Sequence, residues 1–160
     1  MRRPFDRPET ASIIAFLREI GIAVAVESLP DSFLPGLTIR DGGLVVDPER
    51  LKWPGDLLHE AGHIAVTEPE KRPGLSAIAD DPGEEMAAIA WSWAAAKAIG
   101  LAPQILFHED YRGDGKNLAE NFSDGRDVGV PLLVWFEMTG GWKPSEPGRA
   151  AYPAMDRWLR

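Results

Sequence analysis

Two of the three histidines in this 160-residue chain fall four positions apart in the stretch DLLHEAGHIAV, Asp56 to Val66, and Glu60 follows the first directly. On a helix, positions i and i+4 share a face one turn apart. His59 and His63 could therefore grip one ion without straining the backbone. Glu60 projects to the side of that ion rather than onto it, where it can take a proton from water that the metal has acidified. This is the H-E-x-x-H spacing. Around it stand Leu57, Leu58, Ala61, Gly62, Ile64, Ala65 and Val66, which leave three polar side chains alone in an apolar run. Such groups are costly to bury unless they find partners, and a metal ion is an efficient partner.

Hydrolytic zinc takes three protein ligands and keeps one position open. The chain has no cysteine, so thiolate ligands are excluded and histidines and carboxylates must serve. A third histidine six residues after His63 would fall at position 69, which is Pro69, and the remaining histidine, His108, lies far along the chain. The next helical pattern opens with Glu84 and Glu85. Glu84 suits a capping box with Asp81. Glu85 begins a stripe of small residues, Ala88, Ser92 and Ala95, that would let two helices approach closely, with Gly62 helping from the other side. Glu85 is the expected third ligand, and Glu84 is the alternative one residue away. For the oxyanion of a hydrolytic intermediate the segment LFHEDYRG offers His108, Tyr111 and Arg112 as donors.

Four patterns must position these residues. Apolar residues from Glu9 to Ile20 recur at helical spacing and stop at Gly21. IAVAVE reads as a short strand, and GLTIR and LVVD, on either side of Asp41-Gly42-Gly43, read as a hairpin. The histidine helix should run from about Pro54, suited to a first turn, to Thr67, with Asp56 favoured by the helix dipole and Pro69 ending the run. The second site helix should start at Asp81 as cap with Pro82 in first position and end near Ile99 before Gly100. Beyond it, QILFHEDYRG is expected as strand or loop, Val130 to Met138 as a buried helix, and Pro153 to Leu159 as a short terminal helix. Trp91, Trp93, Trp135 and Trp142 are expected in the core. The strand GLTIR or LVVD could offer an edge to an extended peptide, although Arg40 and Asp41 would blunt it. The expected class is α+β, organised as a single domain over residues 1–160.

The formal net charge is −8. That argues against sequence-independent binding to nucleic acid or to an anionic membrane, since both need a cationic face. Arg2, Arg3 and Arg7 read as a solvated terminus. No apolar run resembles a signal peptide or approaches the roughly 20 residues that span a bilayer. A soluble, cytoplasmic protein is expected, and the absence of cysteine is compatible with that.

With HEAGH, the hairpin LPGLTIRDGGLVVD before it and EEMAAIAWSWAA after it, the chain resembles a gluzincin-type zinc metallopeptidase. It is most similar to the ImmA/IrrE-type family, over about residues 9 to 100. The resemblance implies a minimal zincin-like fold: an N-terminal helix, a small sheet, an active-site helix and a second helix bearing a glutamate ligand. It implies zinc held by His59, His63 and Glu85, with Glu60 as general base and a peptide or protein as substrate. The second helix departs from the E-x-E-A-N-x-F-A-like pattern common in the family. HEAGHIAV also resembles the peptidase part of membrane-bound AAA proteases, but that likeness stops at the motif. The expected function is peptide-bond hydrolysis by metal-activated water. The alternative is an inactive zincin-like domain that binds metal or recognises a partner without cutting it.

Overall fold

The computed structural model describes residues 7–78, 81–111 and 115–160. Helix α1, Pro8–Glu19, buries Ile13, Ile14 and Leu17 and ends before Gly21, whose φ of 101° turns the chain toward strand β1, Val24–Val26. Strands β2, Leu37–Arg40, and β3, Gly43–Val46, pair antiparallel with Leu37 opposite Val46 and Arg40 opposite Gly43. The two turn residues, Asp41 and Gly42, both have positive φ, 51° and 75°. This is the backbone that an Asp-Gly hairpin turn requires. β1 then adds in parallel to β3, so the sheet order is β1-β3-β2. LVVD is thus the central strand and offers no edge, contrary to one of the two expectations. β2 lies at the edge of the sheet.

Helix α2, Asp56–Val66, carries the motif. Tight bonds from Asp56 N to Trp53 O and from Leu57 N to Pro54 O, both 3.1 Å, begin the turn just ahead of it. Every residue from Leu57 to Val66 is buried. A helix buried all round must be covered by other elements on each side. Here β3, α1 and a four-residue helix α4, Pro103–Leu106, flank it, and its most extensive partner is helix α3, Pro82–Ile99. α3 is itself buried without a break from Ala87 to Ala96. Asp81 caps it, accepting from Gly83 N and Glu84 N, and Gly100 closes it in the left-handed conformation.

The two helices can lie close because of Gly62. A Cβ there would stand 2.7 Å from Ala88 O and 3.1 Å from Ala88 Cα. The small residues on the facing stripes are the physical reason that α2 and α3 touch at backbone distance.

Several expectations are corrected. QILFHEDYRG opens in the short helix α4 and continues as a loop as far as Tyr111. Helix α5, Gly115–Ser123, was not anticipated. Helix α6 covers only Val130–Trp135, and Trp135 is 80% exposed rather than in the core. Trp91 and Trp93 are buried as expected, and Trp142 is half-buried against the core. Residues 153–159 form turns and bends, not a helix. They are nonetheless anchored: Trp91 Nε1 donates to Trp158 O at 2.9 Å, and Arg160 N donates to Ala65 O at 2.9 Å. Arg7 is not simply solvated, since its guanidinium donates to Leu51 O and Lys52 O, while Arg2 and Arg3 lie outside the described residues. The architecture is α+β, with six helices and a three-stranded sheet among the described residues. None of the helices is long and apolar enough to cross a membrane.

Candidate metal centre

His59 and His63 project from one face of α2 and Glu85 from the first turn of α3. A ligating atom from each lies within 4.8 Å of the others. His59 Nε2 is 3.2 Å from Glu85 Oε1, and His63 Nε2 is 2.8 Å from Glu85 Oε2. The histidines are 5% and 0% exposed. Although these are ion-pair distances, neither buried Nε2 has a hydrogen-bond partner in line. Three groups that can each offer an electron pair thus converge on one point, an arrangement that suits a cation. A tetrahedral ion with ligands at about 2.0–2.2 Å would set them about 3.3–3.6 Å apart, close to the 3.2 Å separation and wider than the 2.8 Å one. The donor set, two imidazoles and a carboxylate, can hold a divalent metal.

The other ring nitrogens are held from behind. His63 Nδ1 lies 3.0 Å from Glu84 Oε1, and His59 Nδ1 lies 3.0 Å from Tyr111 Oη. A neutral imidazole offering its Nε2 lone pair to a metal carries its proton on Nδ1. That proton would be donated to Glu84 and Tyr111 respectively, fixing both rings. Glu84 is therefore engaged with His63 and does not close the expected capping box. The adjacent glutamates divide the work, with Glu85 on the ligand side and Glu84 behind.

The electrostatics follow from burial and crowding. Burial alone would raise Glu85, but the two imidazoles hold its carboxyl well below the usual carboxylate range. Burial disfavours a charged His63, yet Glu85 and Glu84 outweigh it and raise its pKa above the ordinary 6.5. Glu60 is 6% exposed. Burial pushes its pKa up, His59 and His63 oppose this in part, and Asp56 and Glu85 add to it. A base poised closer to neutrality suits proton transfer.

Glu60 and His59 line a cavity of about 260 Å³ together with Asp56, His108 and Tyr111. His108 thus sits beside the site, but its nitrogens are already used. Nδ1 accepts from Asp110 N at 3.2 Å, which leaves the ring proton on Nε2, 2.7 Å from Asp56 Oδ1. This disposition gives His108 no N–H to point at an oxyanion. Tyr111 is brought to the site as the partner of His59. Arg112 lies outside the described residues.

Sequence reading missed the bond between Asp56 and His108, and it missed Trp53, whose ring stacks on His108 at 4.3 Å and 6°. These contacts join residues more than fifty positions apart, and no local spacing signals them. The comparisons yield no matching family model, no matching curated protein and no matching solved structure.

Proposed function

We propose that the protein is a zinc-dependent metallopeptidase with a minimal zincin-like fold. The observation that carries this reading is the convergence of His59 Nε2, His63 Nε2 and Glu85 beside a cavity that Glu60 also lines. Among the described residues no fourth histidine or carboxylate joins the group. That supports a site with an open position over a closed structural one, which four protein ligands usually complete.

The chemistry that zinc supplies when bound is acidification of water and polarisation of a carbonyl oxygen. His59, His63 and Glu85 would hold it. Glu60 receives the proton of the attacking water on its carboxylate and passes it to the nitrogen of the departing amine. Its buried setting, which lifts its proton affinity, favours the first transfer. Tyr111 and Glu84 keep the two imidazoles oriented. Leu57, Leu58 and Ile64, all at 0% exposure, exclude water from the far side of α2.

The test is Glu60→Gln, assayed on a quenched-fluorescence peptide library. The variant should retain zinc at the wild-type stoichiometry and lose turnover by a factor of at least about a hundred. Activity surviving in a zinc-loaded Glu60→Gln protein would sink the mechanism.

A further inference from the structure

The cavity beside Glu60 has walls of distinctive chemistry. Leu34 and Pro35 form one side, and the stacked rings of Trp53 and His108 form another. Apart from Glu60 on the inner wall, its acidic groups are matched within the protein. Asp110 Oδ2 accepts from Lys52 Nζ at 2.8 Å and from Trp53 Nε1 at 3.1 Å. Asp56 Oδ1 accepts from His108 Nε2 at 2.7 Å. An anionic visitor would lose water and find Lys52, the one lining cation, already paired with Asp110. Lys52 Nζ stands 5.4 Å from the centroid of the Trp53 ring, and a flat apolar visitor would stack on that ring by displacing the exposed lysine side chain. At about 260 Å³ the space lies below the range of whole drug-sized ligands and matches a single large side chain.

We propose that this cavity is a specificity subsite that takes one uncharged aromatic side chain of the peptide substrate, next to the bond to be cut. The proposal rests on the metallopeptidase reading, because His59 and Glu60 supply the cavity's inner wall. Trp53 and Leu34 are its specificity-determining residues. Trp53 is held flat by two constraints, the His108 stack and its own bond to Asp110. Lys52 orients Asp110 and does not contribute a free positive charge to the subsite.

The experiment measures binding rather than turnover. Three hydroxamates, carrying a methyl, a benzyl or a carboxyethyl arm, are titrated calorimetrically into the zinc-loaded protein. The benzyl compound should bind at least about tenfold tighter than either of the others, the scale on which a pocket reads apolar bulk. In Trp53→Ala, and separately in Leu34→Ser, that ratio should collapse toward one. Two half-buried positions are used so that a folding defect in one variant leaves the other informative. Equal binding of all three arms to the wild type, or a preference for the carboxyethyl arm, would overturn the subsite while leaving the metal centre standing. A ratio that persists in both folded variants would overturn the assignment to Trp53 and Leu34. A protein that takes up no zinc and binds no hydroxamate would overturn the metallopeptidase reading and the subsite with it.

Discussion

Glu84 and Tyr111 bond to His63 and His59 on the side away from Glu85, and on the proposed reading their removal should register in metal affinity rather than in the fold. Partners of this kind typically contribute a factor of 10–100 in metal affinity. Glu84→Gln and Tyr111→Phe should each weaken zinc binding by roughly that factor, measured by competition with a chromophoric chelator. Unchanged affinity in both would show that the Nδ1 contacts do not orient the rings. That His59, His63 and Glu85 come together was legible because it depends on spacing along one helix and on a stripe of small residues. The pairing of Tyr111 with His59 was not, since it spans 52 positions and is set by the packing of the loop after α4. Glu84 misled for a local reason. A glutamate three residues after a cap suits a capping box, but here the Asp81 cap forms and the glutamate turns to His63 instead.

At the scale of elements, the site depends on how closely α2 and α3 approach. Replacing Gly62 with alanine would gain at most about 1 kcal/mol in helix propensity. The added Cβ would meet backbone atoms of Ala88 at 2.7 and 3.1 Å, which cannot rotate away. Overpacking of this kind typically costs about 1–3 kcal/mol, so separation of the helices should win. Gly62→Ala should lower Tm by several degrees and weaken zinc binding as well, because Glu85 is carried on the helix that must move. A variant with unchanged Tm and affinity would mean that the approach is not tight. The α1 helix, the hairpin and the two site helices were readable from periodicity, caps and the Asp-Gly turn. The segments after Gly100 were less readable, because α4 and α6 are too short to show a period and residues 153–159 are held mainly by bonds to distant residues. Trp135 shows the same limit: its type suggests the core, yet the helix places it outward.

Across the whole molecule, a metal held at this site would link proton binding to stability. In the metal-free protein His63 has a raised pKa, so its contribution is complete below about 6.5 and is lost as pH rises through the raised value. Glu85 has a depressed pKa, so its contribution is present above about 4.5 and is lost only as pH falls through the lowered value. Zinc needs neutral imidazoles, so its affinity runs opposite to the His63 contribution and falls with falling pH. Metal-free Tm should therefore decline as pH rises from about 6.5, while the increment produced by zinc grows. At a thousandfold excess over Kd that increment corresponds to about 4 kcal/mol, or roughly 8–16 °C for a chain of this size. A zinc increment that shrinks over the same pH range would contradict the linkage.

The central claim, that His59, His63 and Glu85 form a metal centre, is tested most directly by the metal content of the purified protein after exposure to zinc. Mass spectrometry would compare the wild type with His59→Ala and Glu85→Gln. The account predicts about one equivalent in the wild type and its loss in both variants. A wild-type protein that holds no zinc, or variants that keep it, would contradict the account.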